Sequence, residues 1–275
     1  MAGLYPVDTG TAQLVADRDD PDRWTVFVNG VPSSTVHTAD PLDLSAFEYL
    51  DIMGRLLDGW RPLRDRVDAV HVGGAGCALP RRVAASRPRS RQVVFEIDAA
   101  LVELVRAAFD LAHVPGLKIR VGDGADGVAG LATGSWDLLV RDAFAGTVTP
   151  AHLTGDAFLG EVARVLRPDG LYLANIADRP PLTLARREVA TARARFAHVA
   201  LVSEPGLFRG RHHANLVLAA SAAVLPVQDW TRSVRGGVVP NRLLSGDGLE
   251  AFTAGAKPID APRTPDPATS RSRER

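Results

Sequence analysis

Between residues 67 and 177 the chain alternates short β-branched runs with stretches of helical spacing, and this alternation leaves few architectures open. The runs are "VDAVHVG" (67–73), "QVVFEI" (92–97), "LKIRV" (117–121), "WDLLVRD" (136–142) and "LYLANIA" (171–177). After the second, Asp98 can cap a helix whose Leu101, Leu104, Val105, Ala108 and Phe109 share one face. Thr154 is expected to cap another that buries Phe158, Leu159, Val162, Val165 and Leu166 and is closed by "RPDG". Strands separated by helices are joined by right-handed crossovers, so they lie parallel with helices on both faces. After the arginine-rich helical stretch "LTLARREVATARARF", "HVALV" (198–202) and "NLVLAAS" (215–221) follow with no helix expected between them. Two strands without a crossover are antiparallel, and the sheet should end in a reversed hairpin.

The chain before residue 46 reads differently. It consists of short β-prone runs broken by Asp-Pro and Asn-Gly, with Asn29-Gly30 as a hairpin turn. Three parts are expected: a β-hairpin lobe over 1–45, an α/β domain over 46–255 that opens with a helix from Leu44 to Leu57, and a disordered proline-rich, charged tail over 256–275. At 275 residues and 46% apolar the chain can bury a large core. Lys+Arg and Asp+Glu both number 32, so no net charge draws it to nucleic acid or an anionic membrane. A single cysteine, Cys77, excludes an internal disulfide and a cysteine-cluster metal site. No segment approaches 18 uninterrupted apolar residues and no signal-like start is read, so a cytoplasmic location is expected. The seven histidines form no metal constellation, and His212-His213 read as a solvated hairpin tip.

In an open α/β sheet the ligand crevice lies beyond the carboxyl ends of the strands, and four places there carry chemistry. Gly73, Gly74 and Gly76 in "HVGGAGCALPRR" permit a tight strand-to-helix turn and let a ligand approach backbone N–H groups; the turn also serves without a ligand. Neither the full GxGxxG spacing nor a P-loop Lys is present. Glu96 in "FEID" can accept both hydroxyls of a ribose, or act as a solvated charge or cap. Asp123 and Gly124 in "GDG" can accept an exocyclic amine beside a flat ring, or Asp123 can cap a helix. Asp142 in "LLVRDAFAG" should face the middle of the crevice, where a carboxylate could hold or deprotonate an amine; it could also be a plain turn residue.

"GGAG", "FEID", "GDG" and "RDAF" in this order, with "NGVPSSTVHTADP" and "FEYLDIM" before them and "FRGRHHANLVLAAS" after, resemble the polyamine aminopropyltransferase (spermidine synthase) family. The resemblance runs from about Trp24 to Ser221 and is nearest to its divergent bacterial spermidine synthase-like branch. It implies a methyltransferase-like Rossmann fold, and five parallel strands with a reversed hairpin are the arrangement of S-adenosylmethionine-dependent enzymes. It further implies decarboxylated S-adenosylmethionine or S-adenosylmethionine as co-substrate, with Gly73, Gly74 and Gly76 at the turn, Glu96 and Ile97 at the ribose, and Asp123 and Gly124 near the adenine. Asp142 is then the base, and Glu48 and Tyr49 line the amine pocket. No metal is implied; the partner is a small-molecule amine, without nucleic acid or membrane, and a homodimer is compatible.

Departures from the family pattern are as informative. The family's first turn usually carries an Asp that grips the donor's amino group, and Gly76 stands there. A second Asp commonly lies three residues past the base, at the place of Ala145, and a hairpin Gln corresponds to Ser33. With so few cation-holding groups a diamine dication is a poor fit. Aminopropyl transfer to an amine is the first reading, a methyltransferase the second, and a non-catalytic nucleoside-binding relative the third.

Overall fold

The computed structural model describes residues 1–208, 214–237 and 239–260. Its N-terminal segment forms a four-stranded antiparallel sheet of two hairpins: β1 (Gly3–Val7), β2 (Gly10–Ala16), β3 (Arg23–Val28) and β4 (Val31–His37), paired in chain order. Asn29 and Gly30 join β3 to β4 with φ of 52° and 77°, the left-handed geometry a two-residue hairpin turn needs. One face of this sheet is apolar, and its Ala12, Leu14, Val26 and Val36 enter the core beside α1 (Glu48–Trp60). That helix starts later than the spacing from Leu44 predicts. Asp43 accepts the Ser45 N–H at 2.8 Å, and this local turn holds the backbone out of helix.

β5 (Ala69–Val72), β6 (Gln92–Glu96), β7 (Leu117–Val121), β8 (Trp136–Arg141) and β9 (Leu166–Asp178) are all parallel. α2 (Ala78–Ser86), α3 (Ala99–Ala108), α4 (Gly124–Ala129) and α5 (Asp156–Val165) connect them. The order β7-β6-β5-β8-β9 means that the chain runs from β5 to one edge and returns to β8 on the other side. The strand order therefore reverses between β5 and β8, where the crevice of such a sheet opens. Side chains alternate across the sheet, Val70, Val72 and Leu139 entering one apolar layer and Ala69, Leu138 and Val140 the other.

α6 (Thr183–Arg195) leads to β10 (His198–Ser203), α7 (Pro205–Phe208) and β11 (Ala214–Ser221). β11 lies antiparallel to β9, with β10 antiparallel outside it. The expected reversed end is thus present, and it continues. α8 (Val227–Arg235) and α9 (Gly246–Thr253) flank β12 (Arg242–Leu244), which adds a further antiparallel strand to β10.

Four local expectations are corrected. A short helix, α7, stands in the loop after β10, while "RGRHH" (209–213) lies outside the described residues. Thr154 is not the cap of α5: its hydroxyl donates back to the Ala151 carbonyl at 2.8 Å, and Gly155 takes the N-cap position. "RPDG" does not close α5 but belongs to β9, where the register with β8 shifts. The tail is not disordered from residue 256: Ile259 is buried, its N–H donates to Thr191 Oγ1 at 2.8 Å, and its carbonyl accepts the Asp156 N–H at 2.9 Å.

The lobe is fastened beside the second strand end. Asp98 caps α3, accepting the Leu101 N–H at 2.8 Å, and also accepts the N–H groups of Asp8 (3.1 Å) and Thr9 (2.7 Å) and the Thr9 hydroxyl (2.6 Å). Asp8 reciprocates, accepting the Ala99 N–H at 2.8 Å. Burial opposes the charge on Asp98, but hydrogen bonds from Thr9, Leu101 and Asp8 outweigh it and hold the carboxyl below its ordinary range. Asp98→Ala should lower stability at pH 7 by about 2 kcal/mol in urea unfolding. A lowered folded pKa means this contribution is present above the unfolded value of about 3.9 and lost as pH falls through the folded one. The gap between wild type and variant should shrink below about pH 4; an unchanged gap would show that the Asp98 charge does not hold the lobe.

Candidate active site

At the reversal point the end of β5 meets the end of β8. Gly73 has φ of 84°, and a Cβ there would lie 2.3 Å from the Asp142 carbonyl oxygen, so only glycine lets the two strand ends touch. A Cβ on Gly74 would fall 2.7 Å from Val94 Cγ1. Two of the turn's N–H groups are already taken by the next strand's carboxylate. Gly74 N–H donates to Glu96 Oε2 at 3.0 Å and Ala75 N–H at 3.4 Å, while Asp98 N–H reaches Glu96 Oε1 at 3.3 Å. Burial raises the Glu96 carboxyl above its ordinary pKa, and these backbone donors oppose the rise. Cys77, beyond the turn, is buried, and burial with the nearby Glu96 charge pushes its thiol up to about 12, which suits packing and not nucleophilic attack.

Asp142 follows β8 and is half-buried. Its Oδ2 accepts the Tyr49 hydroxyl at 3.0 Å and its Oδ1 accepts Asn175 Nδ2 at 2.9 Å. Burial raises the Asp142 carboxyl; the bonds from Asn175 and Tyr49 and the Arg141 charge restrain the rise. Neutral donors on both oxygens orient the carboxylate without cancelling its charge. Behind it, Arg141 is fully buried, donating to Glu188 Oε2 at 2.7 Å and to the Asn175 carbonyl at 3.0 Å. Burial pushes the Glu188 carboxyl up to about 7, although Arg141 pulls the other way.

Asp123 caps α4, its Oδ1 accepting the N–H groups of Ala125 (2.8 Å) and Asp126 (3.2 Å), while His152 Nε2 lies 2.9 Å from Oδ2. The capping role read as an alternative is therefore present, and the second oxygen already has a neighbour. Gly124 is required by packing, since a Cβ would lie 2.3 Å from Val72 Cγ1. Ile97 is 60% exposed at the end of β6, beside the end of β7, where Val121 is 54% exposed. Glu48 opens α1, where its charge suits the positive end of the helix. A Cβ on Gly76 would stand 2.7 Å from Val36 Cγ2 and 2.9 Å from Ser34 Oγ, both from β4 of the lobe. Ser33, by contrast, bonds its own strand at the Val31 carbonyl.

Comparison with known proteins now bears on this arrangement. No family model matches the chain. A solved structure described as a probable spermidine synthase from Corynebacterium glutamicum is 32% identical, superposes with a TM-score of 0.86, and the match covers 94% of this chain and 95% of that one. The chain belongs to the spermidine synthase family. It has the family's mixed sheet and N-terminal antiparallel lobe, and it is a transferase. A polyamine aminopropyltransferase of Vibrio vulnificus is 27% identical over 118 residues, which are 42% of this chain and 39% of that protein. A human eEF1A lysine and N-terminal methyltransferase is 28% identical over 119 residues, which span 39% of this chain and 17% of that protein. The chain thus spans well under half the length of either curated relative.

Set in the spermidine synthase family, the residues named from sequence fall into two groups. Gly73, Gly74, Glu96, Tyr49 and Asp142 are brought together directly, whereas Asp123 and Gly76 are engaged by side chains that sequence reasoning did not find. Asn175 had a visible signal, a polar residue inside the apolar run "LYLANIA". Glu188 was hidden among the charges of an arginine-rich helix, and His152 and Ser34 had none. Two open depressions of about 350 Å³, one along Asp178–Leu184 and one along Arg164–Gly170, lie outside this constellation. Among the described residues no group of three or more His, Cys, Asp or Glu could hold a metal ion.

The glycine contacts are testable by order of effect. Gly76→Ala should destabilise by about 1–3 kcal/mol, because side chains of the lobe must give way. Gly73→Ala should cost more, since its neighbour is backbone and its φ is positive. Thermal and urea unfolding of both variants check this ranking, and a harmless Gly73→Ala would refute the close approach of β5 and β8.

Proposed function

We propose that the protein binds decarboxylated S-adenosylmethionine, or S-adenosylmethionine itself, and transfers an aminopropyl group to a small-molecule amine. The observation that carries this reading is the Asp142 carboxylate, held by Tyr49 and Asn175 where the ends of β5 and β8 meet. A primary amine has a pKa of about 10 and is a cation at neutral pH, so it must lose a proton before nitrogen can attack. Asp142 takes that proton. The donor supplies a carbon beside a sulfonium; the nitrogen–carbon bond forms as the carbon–sulfur bond breaks, and the electron pair leaves on sulfur as a neutral thioether.

The remaining residues position the reactants. Gly73, Gly74 and Gly76 let β8, β6 and the lobe close on the turn that faces the donor, since a Cβ on any of them would meet protein atoms. Glu96 accepts the ribose hydroxyls with the lone pairs left over from the turn, since each carboxylate oxygen has two. Ile97 offers an apolar surface beside the adenine, with Asp123 and Gly124 at its edge. Tyr49 and Glu48 face the amine, and Asn175 Oδ1, buried without a partner among the described residues, offers the ammonium a second acceptor. The same reading puts the enzyme in the cytoplasm, without nucleic-acid or membrane partners, and is compatible with a homodimer. The uncharged Gly76 favours a second reading, methyl transfer from intact S-adenosylmethionine.

Asp142→Asn should lower kcat/KM by about 10²–10⁴-fold and leave binding of methylthioadenosine within about twofold of wild type. Unchanged turnover would remove Asp142 as the base, and S-adenosylhomocysteine as product in place of methylthioadenosine would establish methyl transfer. Asp142 works ionised and its pKa is raised, so kcat/KM should fall as pH drops through that value. Tyr49→Phe removes a donor to the ionised form and should move this acid limb to higher pH.

A further inference from the structure

The inward face of the lobe sheet carries a hydroxyl where it meets the glycine turn. Ser34 and Val36 are two residues apart on β4 and point to the same side. The buried neighbours of Val36 on that face are Ala12, Leu14 and Val26. Ser34 is only 4% exposed, and no hydrogen bond of its side chain exists among the described residues. Ser33 and Thr35 beside it differ: Ser33 donates to the Val31 carbonyl and Thr35 meets the Thr25 hydroxyl at 3.2 Å. The Ser34 Oγ is not sealed from solvent and is open to a ligand, whereas an alanine would pack on this face as well. Ser34 Oγ stands 2.9 Å from where a Cβ on Gly76 would lie, so it overhangs the turn at the mouth of the crevice.

The geometry points to Ser34 as a specificity-determining residue: its hydroxyl hydrogen-bonds the polar end of the donor's sulfonium-borne chain, making the lobe one wall of a charge-neutral donor site. The inference rests on the donor reading above. An acidic wall would attract a chain ending in an ammonium and repel one that also carries a carboxylate. A hydroxyl accepts from the ammonium and donates to the carboxylate, so it serves both chains. An acid at position 76 would first have to displace Ser34 and Val36, which fill the space its side chain would need. Donor selection at this end of the site therefore passes to position 34.

Calorimetric titration of wild type and Ser34→Ala with methylthioadenosine, decarboxylated S-adenosylmethionine and S-adenosylmethionine tests this. Wild type should bind the two chain-bearing donors within about tenfold of each other. Ser34→Ala should weaken both by about five- to tenfold, the effect of one hydrogen bond, and leave methylthioadenosine within about twofold. Its melting temperature should match or exceed wild type, because the hydroxyl has no structural partner to lose. Equal weakening of all three ligands, no weakening of any, a wild-type preference beyond about a hundredfold, or a marked loss of stability in Ser34→Ala overturns the assignment. If methylthioadenosine binds and Ser34→Ala changes nothing, the donor reading stands and this inference alone falls. If wild type binds none of the three, both fall together.

Discussion

Both oxygens of the Glu96 carboxylate accept backbone N–H groups, two from the turn after β5 and one from the segment entering α3. One half-buried anion thereby sets the path of the chain at two neighbouring strand ends. Charge-assisted bonds of this kind are about twice as strong as neutral ones, and they are stronger still where water is scarce. Without the anion, the Gly74 and Ala75 N–H groups would need other partners in a crowded place. The turn therefore carries no charged side chain of its own because the charge that shapes it comes from the next strand.

From that point the structure grows outward in both directions. Two residues along from Glu96, Asp98 receives the tip of the first lobe hairpin, and the lobe's apolar face then settles over Gly76. On the other side Gly73 touches the backbone of Asp142, whose carboxylate is steadied by one residue from α1 and one from β9. The buried Arg141–Glu188 pair lies directly behind, tying β8 to α6 and holding the Asn175 backbone. An ion pair so buried adds little net stability, yet removing one partner would leave an uncompensated charge next to the base.

The parallel strands, the reversed end and the strand-end acids were all legible from the sequence, because β-branched runs and capping residues act locally. What could not be read were choices made between distant segments. Thr154 looked like a cap, but its hydroxyl turned back to Ala151 once a short 3-10 turn formed there. The tail looked disordered by composition, yet the apolar Ile259 found a place between α5 and α6. Ser33 and Ser34 are neighbours of the same type, and only the pleat and the bulge near Val26 decide which of them faces the turn. Asp123 was readable as either a cap or an adenine ligand; its cap bonds are local, whereas His152 arrives from a loop 29 residues on.

The contact between Gly76 and the lobe also limits how such a site can change over generations. Position 76 gains a side chain only at a cost in stability while Ser34 and Val36 keep theirs, so a route from this turn to an acidic one is eased by first shrinking a residue on β4. The order of mutations is then biased by geometry, and the lobe acts as a ratchet on the chemistry of the turn it covers.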